Sequence, residues 1–419
     1  MGKSLLLGVN AMKVRINKLM TYTKDQLSLM RFKETYRTSQ EAFTRKSILN
    51  FRTTALMILN MIKKSIRVEV MDYFRQDTES IAKIPARQSF TEAREKISYL
   101  AFKDFFDKSC ELAAYDGEFR TYKGYRLFAI DGTSFIVGEL KKLKDYFGES
   151  TAVEGKAMCR IGAVVDILEE SIVNAAVLPF STGERAIAIR QVQELKDITQ
   201  ALYLSDRGYW SPELVREIIG NGQKFIMRLA SNHKNANLKD ENGNIINLRR
   251  YSFILSSGEE EVLLTNISED EMTDDELAAL YAKRWGIETK YLELKTRLDI
   301  DVLSGNTTNI VLQDIYSTLY ISNLTAFICC EADDKIQERT ADKNNKYQQK
   351  AKRSMCIAAL RERFVRICLI DDPGKQSDAL QLLVDDISTE VSYINKSKPR
   401  PRNMKSFKNK RKSKRNSYL

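Results

Sequence analysis

Three carboxylates stand where a fold could gather them. Asp131 follows the apolar run 127–130 and precedes Gly132, while Asp206 follows Leu202-Tyr203-Leu204 and precedes Arg207-Gly208. Either one alone reads as an aspartate opening a turn after a strand. Two of them at strand ends of one sheet read together as a carboxylate pair. The third comes from a helix predicted over residues 274–298. At ~100° per residue, Tyr281, Arg284, Glu288 and Lys295 fall within about 60° of one another. Leu280, Ile287, Tyr291, Leu294 and Leu298 form the adjacent apolar stripe, which would pack on a sheet and leave the polar face at its edge. The bland alternative is a solvated face on which Arg284 and Glu288 make an i,i+4 pair of ~0.2–0.5 kcal/mol.

An acid flanked by two cations and a phenol suits a site that holds metal and phosphate together. Phosphodiester cleavage by two Mg²⁺ needs carboxylate oxygens that hold the ions ~3.5–4 Å apart. Mg²⁺ takes oxygen ligands and keeps several waters, so three carboxylates suffice.

Other chemistries have little to work with. The six cysteines, Cys110, Cys159, Cys329, Cys330, Cys356 and Cys368, contain no C-x-x-C and read as reduced core thiols. His233 is the single histidine, so triad and multi-histidine metal sites would hang on one residue.

The elements that must position the acids follow from texture. Up to about residue 115 the pattern is helical, with Leu49, Leu56, Leu59, Ile62 and Ile66 at helical spacing. Ser89 and Glu92 suggest a capping-box start. After Gly117 come short apolar runs at 127–130, 161–168, 172–179, 201–204 and 225–229, read as strands, with helical patterns at 184–195 and 212–219. This is an α/β arrangement around a mixed sheet. Residues 231–270 read as a β-rich insertion, with strands at 251–255 and 262–267. Long helical patterns resume through 298, over 309–330 and over 346–370.

Charge is uneven. Residues 396–419 hold eleven Lys/Arg and no acid, matching the whole formal excess of +11. Such a run is expected to be a disordered tail, either a solubilising extension or a phosphate-binding arm. Residues 1–75 carry fifteen Lys/Arg against five acids. The apolar run at 4–12 is short, contains Asn10 and lacks a cleavage pattern, and 310–330 carries Gln313, Asp314 and Asn323. No membrane span and a cytoplasmic, nucleoid-associated protein are expected.

Together, Asp131-Gly132-Thr133, Leu204-Ser205-Asp206-Arg207-Gly208-Tyr209-Trp210 and Tyr281-x2-Arg284-Trp285-x2-Glu288-x6-Lys295 resemble the bacterial insertion-sequence transposases of the DDE class, in the subgroup with a Y-R-E-K signature. Similar texture runs from about residue 85 to 324, including Gly183-Glu184-Arg185 and Gln313-Asp314-Ile315. The resemblance implies an RNase H-like fold in which Asp131, Asp206 and Glu288 bind two Mg²⁺ or Mn²⁺. It implies a β insertion between the second and third acids, here 81 residues apart. It also implies that Tyr281, Arg284 and Lys295 contact DNA at the element end. Trp285, Trp210 and Tyr209 would stack on bases or pack as core aromatics.

The expected organisation is a basic helical DNA-end-binding domain over 1–120, a catalytic domain over 121–330 with the insertion at about 231–270, a C-terminal helical region over 331–395 and the tail. The expected reaction is hydrolysis at the element ends, exposing a 3′-OH that attacks target DNA. Expected partners are the terminal inverted repeats, target DNA and a second copy in a homodimer. A stand-alone nuclease, a catalytically retired DNA-binding protein and a basic RNA-associated protein are the rival readings.

Overall fold

The computed structural model describes residues 2–60, 63–75, 84–149, 153–230, 238–239, 243–255, 258–343 and 345–394, with side chains from residue 14 onward. His233, the basic tail 396–419 and much of 231–242 lie outside the described residues. The chain forms two compact units, Met1–Thr23 with Ser98–Phe327 and Lys24–Ile97 with Ile328–Leu419. These cut the chain elsewhere than the expected 1–120, 121–330 and 331–395.

In chain order the first elements are α1 (Gly2–Ser28), α2 (Met30–Tyr36), α3 (Phe51–Leu59), α4 (Ile66–Arg75), α5 (Arg87–Glu95) and α6 (Leu100–Tyr115). The central region holds β1 (Arg126–Gly138), α7 (Lys141–Phe147), β2 (Ala157–Asp166), β3 (Ser171–Pro179), α8 (Glu184–Glu194), β4 (Ala201–Ser205), α9 (Pro212–Gly220) and β5 (Lys224–Leu229). It continues with β6 (Arg249–Ile254), β7 (Glu260–Thr265), α10 (Asp274–Tyr281) and α11 (Trp285–Thr296). The last are α12 (Thr308–Thr340), β8 (Gln348–Ala351), α13 (Arg353–Leu369), α14 (Pro373–Thr389) and β9 (Val391–Ile394).

The first unit is built on one seven-stranded sheet in the order β3-β2-β1-β4-β5-β7-β6. β1, β2 and β3 run antiparallel, whereas β4 and β5 run parallel to β1 and to each other. All five residues of β4 are buried, as a strand covered on both faces requires. α6 lies on β3, and α8 comes close over β2 because Gly162 has no side chain. A Cβ there would stand 2.6 Å from Ile187 Cγ2. Asn323 of α12 is buried and clamps β3, accepting from the Ile172 N–H at 2.8 Å and donating to its carbonyl at 2.9 Å. α6 thus belongs to the sheet unit, where its buried Phe105 and Phe106 meet Tyr320 and Tyr316 of α12.

The strands expected at 251–255 and 262–267 are β6 and β7, which extend the main sheet, β7 pairing antiparallel with β5. Two local expectations change. The helix expected over 274–298 is two helices joined by a 3₁₀ turn at Ala282–Arg284. The capping box expected at Ser89 and Glu92 is absent, since α5 starts at Arg87 behind the uncapped Ala86. A complete capping box does open α10, with Thr273 and Glu276 satisfying each other's backbone N–H groups.

The second unit holds α2–α5, the later part of α12, α13 and α14, and the two-stranded sheet of β8 and β9. Lys24 Nζ donates to the Ile370 and Asp371 carbonyls at the end of α13, where helix carbonyls lack partners. Asp372 caps α14 and Pro373 occupies its first turn, so the Asp-Pro-Gly break is a helix start. No helix among the described residues is long and apolar enough to cross a membrane.

Candidate active site

Asp131 lies inside β1, not at its end. Its neighbour β4 stops sooner. The parallel register runs through Ile130 opposite Ser205, so Asp206 is the next residue beyond β4. Adjacent strands are ~4.8 Å apart, so this register continued past Ser205 would set Asp206 beside Asp131 at the carboxyl end of β4.

Each aspartate makes one short backbone contact. Asp131 Oδ1 accepts the Gly132 N–H at 2.8 Å, and Asp206 Oδ1 accepts the Arg207 N–H at 2.7 Å, capping the 3₁₀ turn Arg207–Tyr209. Burial pushes the Asp131 carboxyl up to about 6. The Gly132 N–H and Arg284 oppose the rise, while Glu288 and Glu184 add to it. The rise is thus chiefly the cost of burying the charged carboxylate.

Glu288 is in the first turn of α11. Tyr291, one turn on, donates its hydroxyl to the Asp131 carbonyl at 2.6 Å and ties this helix to β1. Glu288 accepts from Arg284 Nη2 at 2.9 Å, and the Arg284 side chain is 8% exposed. Among the described residues, no group of three or more His, Cys, Asp or Glu has the arrangement of a metal site. Arg284 links the three acids electrostatically: it bonds Glu288, acts on the Asp131 charge, and is itself acted on by Asp206.

Tyr281 ends α10 and is buried, with Arg284 5.9 Å from its ring centroid. The Tyr281 hydroxyl and Arg284 Nε are buried without hydrogen-bond partners. Two unpaired donors beside an acid pair are costly unless a ligand accepts from them. Lys295 is in the last turn of α11, where burial lowers its pKa and Asp301 and Cys159 are the charges acting on it. It stands apart from the Tyr281–Arg284 pair. Trp285 is 53% exposed, so the core-aromatic alternative does not hold for it, whereas Tyr209 is buried.

Two further acids belong to this environment. Glu184, the first residue of α8, is 3.5 Å from Arg160 Nε and would meet a Cβ on Gly132 at 3.2 Å. Glu261 of β7 is 3.7 Å from Arg228 Nε, and burial raises its pKa, with Asp206 adding to the rise. The segment Gly183-Glu184-Arg185 hinted at the first. Nothing in the local sequence marks Glu261.

Residues 122–324 match the family model described as "Transposase DDE domain". The protein named "Putative transposase InsZ", from Escherichia coli (strain K12), is 22% identical over 144 residues, 33% of this chain. That match spans 48%, about half, of the relative's length. A cryo-EM structure of a piggyBac transposase synaptic complex with hairpin DNA aligns over 90% of this chain and 85% of its own, at 12% identity and a TM-score of 0.47. DDE domains use divalent metal ions. The segment that matches this transposase DDE domain model builds the sheet and carries Asp131, Asp206 and Glu288.

Proposed function

We propose that this protein is a DNA transposase that hydrolyses phosphodiesters at the ends of an insertion sequence and transfers the exposed 3′-OH into target DNA. The observation that carries this reading is that Asp131 and Asp206 each follow the last β1–β4 register pair, Ile130 and Ser205, with α11 tied to β1 by the Tyr291 hydrogen bond. Five strands in the order β3-β2-β1-β4-β5, the first three antiparallel and the last two parallel to β1, support an RNase H-like core. The intact spacing of Tyr281, Arg284, Glu288 and Lys295 supports the Y-R-E-K subgroup.

Asp131, Asp206 and Glu288 would hold two Mg²⁺ or Mn²⁺. The donors are all oxygen, as these ions prefer, and a cation would favour the ionised form of the Asp131 carboxyl that burial disfavours. When bound, the ions activate the attacking oxygen and steady the leaving one. Arg284 and Tyr281 present unpaired donors suited to a DNA phosphate, Arg284 exchanging Glu288 for it. Lys295 supplies a point charge farther along α11. Trp285 offers an exposed ring for a base. The basic stretch 1–75 and the tail are assigned to DNA backbone, and two copies would act on paired ends.

The test is a product assay. Purified protein, DNA carrying the flanks of its own gene and a target plasmid are incubated with Mg²⁺, and joined molecules are sequenced. Element ends joined through their 3′ strands support transposition. Cleavage without joining would leave a nuclease and contradict the strand-transfer step.

A further inference from the structure

The first turn of α8 touches both aspartate segments. The Glu184 carboxylate lies over Gly132, where a Cβ would meet Glu184 Oε1 at 3.2 Å and the Tyr209 hydroxyl at 3.4 Å. A side chain at this position would press the Glu184 carboxylate back by a few tenths of an ångström. The next residue, Arg185, donates through Nε to the Gly208 carbonyl at 2.9 Å, two residues beyond Asp206. Tyr209 closes the same turn by donating its N–H to the Asp206 carbonyl at 3.0 Å. Two consecutive residues of one helix thus brace the chain just after each aspartate.

Glu184 is itself held. Arg160 of β2 stands 3.5 Å from it, and that guanidinium is fixed by donating to the Thr182 carbonyl and by lying 4.8 Å from the Phe180 ring centroid. A surface acid that needed only solvent would not require this support.

We propose that Glu184 is a positioning residue for Asp131, bracing Gly132 with a charged carboxylate while Arg185 braces Gly208, so that the start of α8 sets the spacing of Asp131 and Asp206 for divalent-ion binding. The inference rests on the metal-binding reading above. Glu184 acts through Asp131. Residues that orient metal ligands typically alter affinity about 10–100-fold when changed.

The test measures Mn²⁺ affinity of the full chain without DNA, by electron paramagnetic resonance. The variants are Glu184→Gln, which keeps the shape and removes the charge, Glu184→Asp, and Gly132→Ala, which crowds the carboxylate. Glu184→Gln is expected to weaken Mn²⁺ binding about tenfold, with partial recovery in Glu184→Asp and weakening in Gly132→Ala. Glu184 is 40% exposed, so Glu184→Gln should fold as the wild type does. A lowered melting temperature with unchanged Mn²⁺ affinity would reduce Glu184 to a structural role and overturn the inference. Wild-type protein that binds no Mn²⁺ would instead overturn the metal-binding reading beneath it.

Discussion

At the residue scale the site is marked by a carboxyl whose charged form burial disfavours. Asp131 keeps its proton up to about pH 6 when folded, because burial and neighbouring acids disfavour its ionised form. The unfolded chain releases that proton near the ordinary carboxylate value. Between those two values the folded state binds more protons, so this contribution to stability is present at low pH and is lost as pH rises through 6. Asp131→Asn in chelator-treated protein is therefore expected to raise the melting temperature at pH 8 by about 2–4 °C and leave it unchanged at pH 4. Differential scanning calorimetry at the two pH values checks this, and equal effects would remove the charge argument. Arg284 faces the opposite problem, a buried cation with one carboxylate partner and an unpaired Nε. Arg284→Ala is expected to weaken binding to element-end DNA by about tenfold or more, as loss of a charged hydrogen bond of ~1.5–3 kcal/mol implies. Fluorescence anisotropy in Ca²⁺ would measure it.

Elements decide how these residues meet, and here the sequence was legible unevenly. Asp131 and Asp206 were singled out because each follows a short apolar run and precedes a glycine or an Arg-Gly, and each follows the last β1–β4 register pair. Glu288 was singled out because its helical phase matches Tyr281, Arg284 and Lys295, although a 3₁₀ turn at Ala282–Arg284 tightens the path between Tyr281 and the rest. Glu184 was less visible as a site residue, since an acid in a first helical turn is ordinary on helix-dipole grounds. Glu261 could not be placed without knowing that β7 joins the main sheet. The Ser89–Glu92 spacing misled because Arg87, two residues after Pro85, already begins α5. The link between elements is itself testable. Tyr291→Phe deletes the hydroxyl donating to the Asp131 carbonyl. It is expected to cost about 1 kcal/mol of stability by urea denaturation and to reduce cleavage more than DNA binding. Equal loss of both would mean that α11 is not held on β1 by this contact.

On the scale of the whole molecule, local periodicity found helices but not the unit they serve. α6 looked like part of an N-terminal domain, yet its aromatic face belongs with the sheet, and the chain returns at Ile328 to complete a unit begun at Lys24. Such long-range partnership leaves no short-range signal in sequence. Charge does, and the eleven cations of 396–419 carry a prediction of their own. If every one met a phosphate, removing the tail would reduce the log–log salt slope of DNA binding by about 10. A smaller reduction with end specificity retained is expected, since only part of the tail engages at once. A slope unchanged by truncation would exclude the arm.

The central claim is that Asp131, Asp206 and Glu288 form one metal-dependent site for DNA cleavage. Its most direct test compares wild type with Glu288→Gln on DNA carrying the flanks of the gene, in Mg²⁺ and in Ca²⁺, with cut positions mapped by sequencing. Glu288→Gln removes a carboxylate oxygen without adding bulk. The predicted result is cuts at inverted repeats by wild type in Mg²⁺ alone, none by the variant, and retained end binding by both. Continued cutting by Glu288→Gln would contradict the claim.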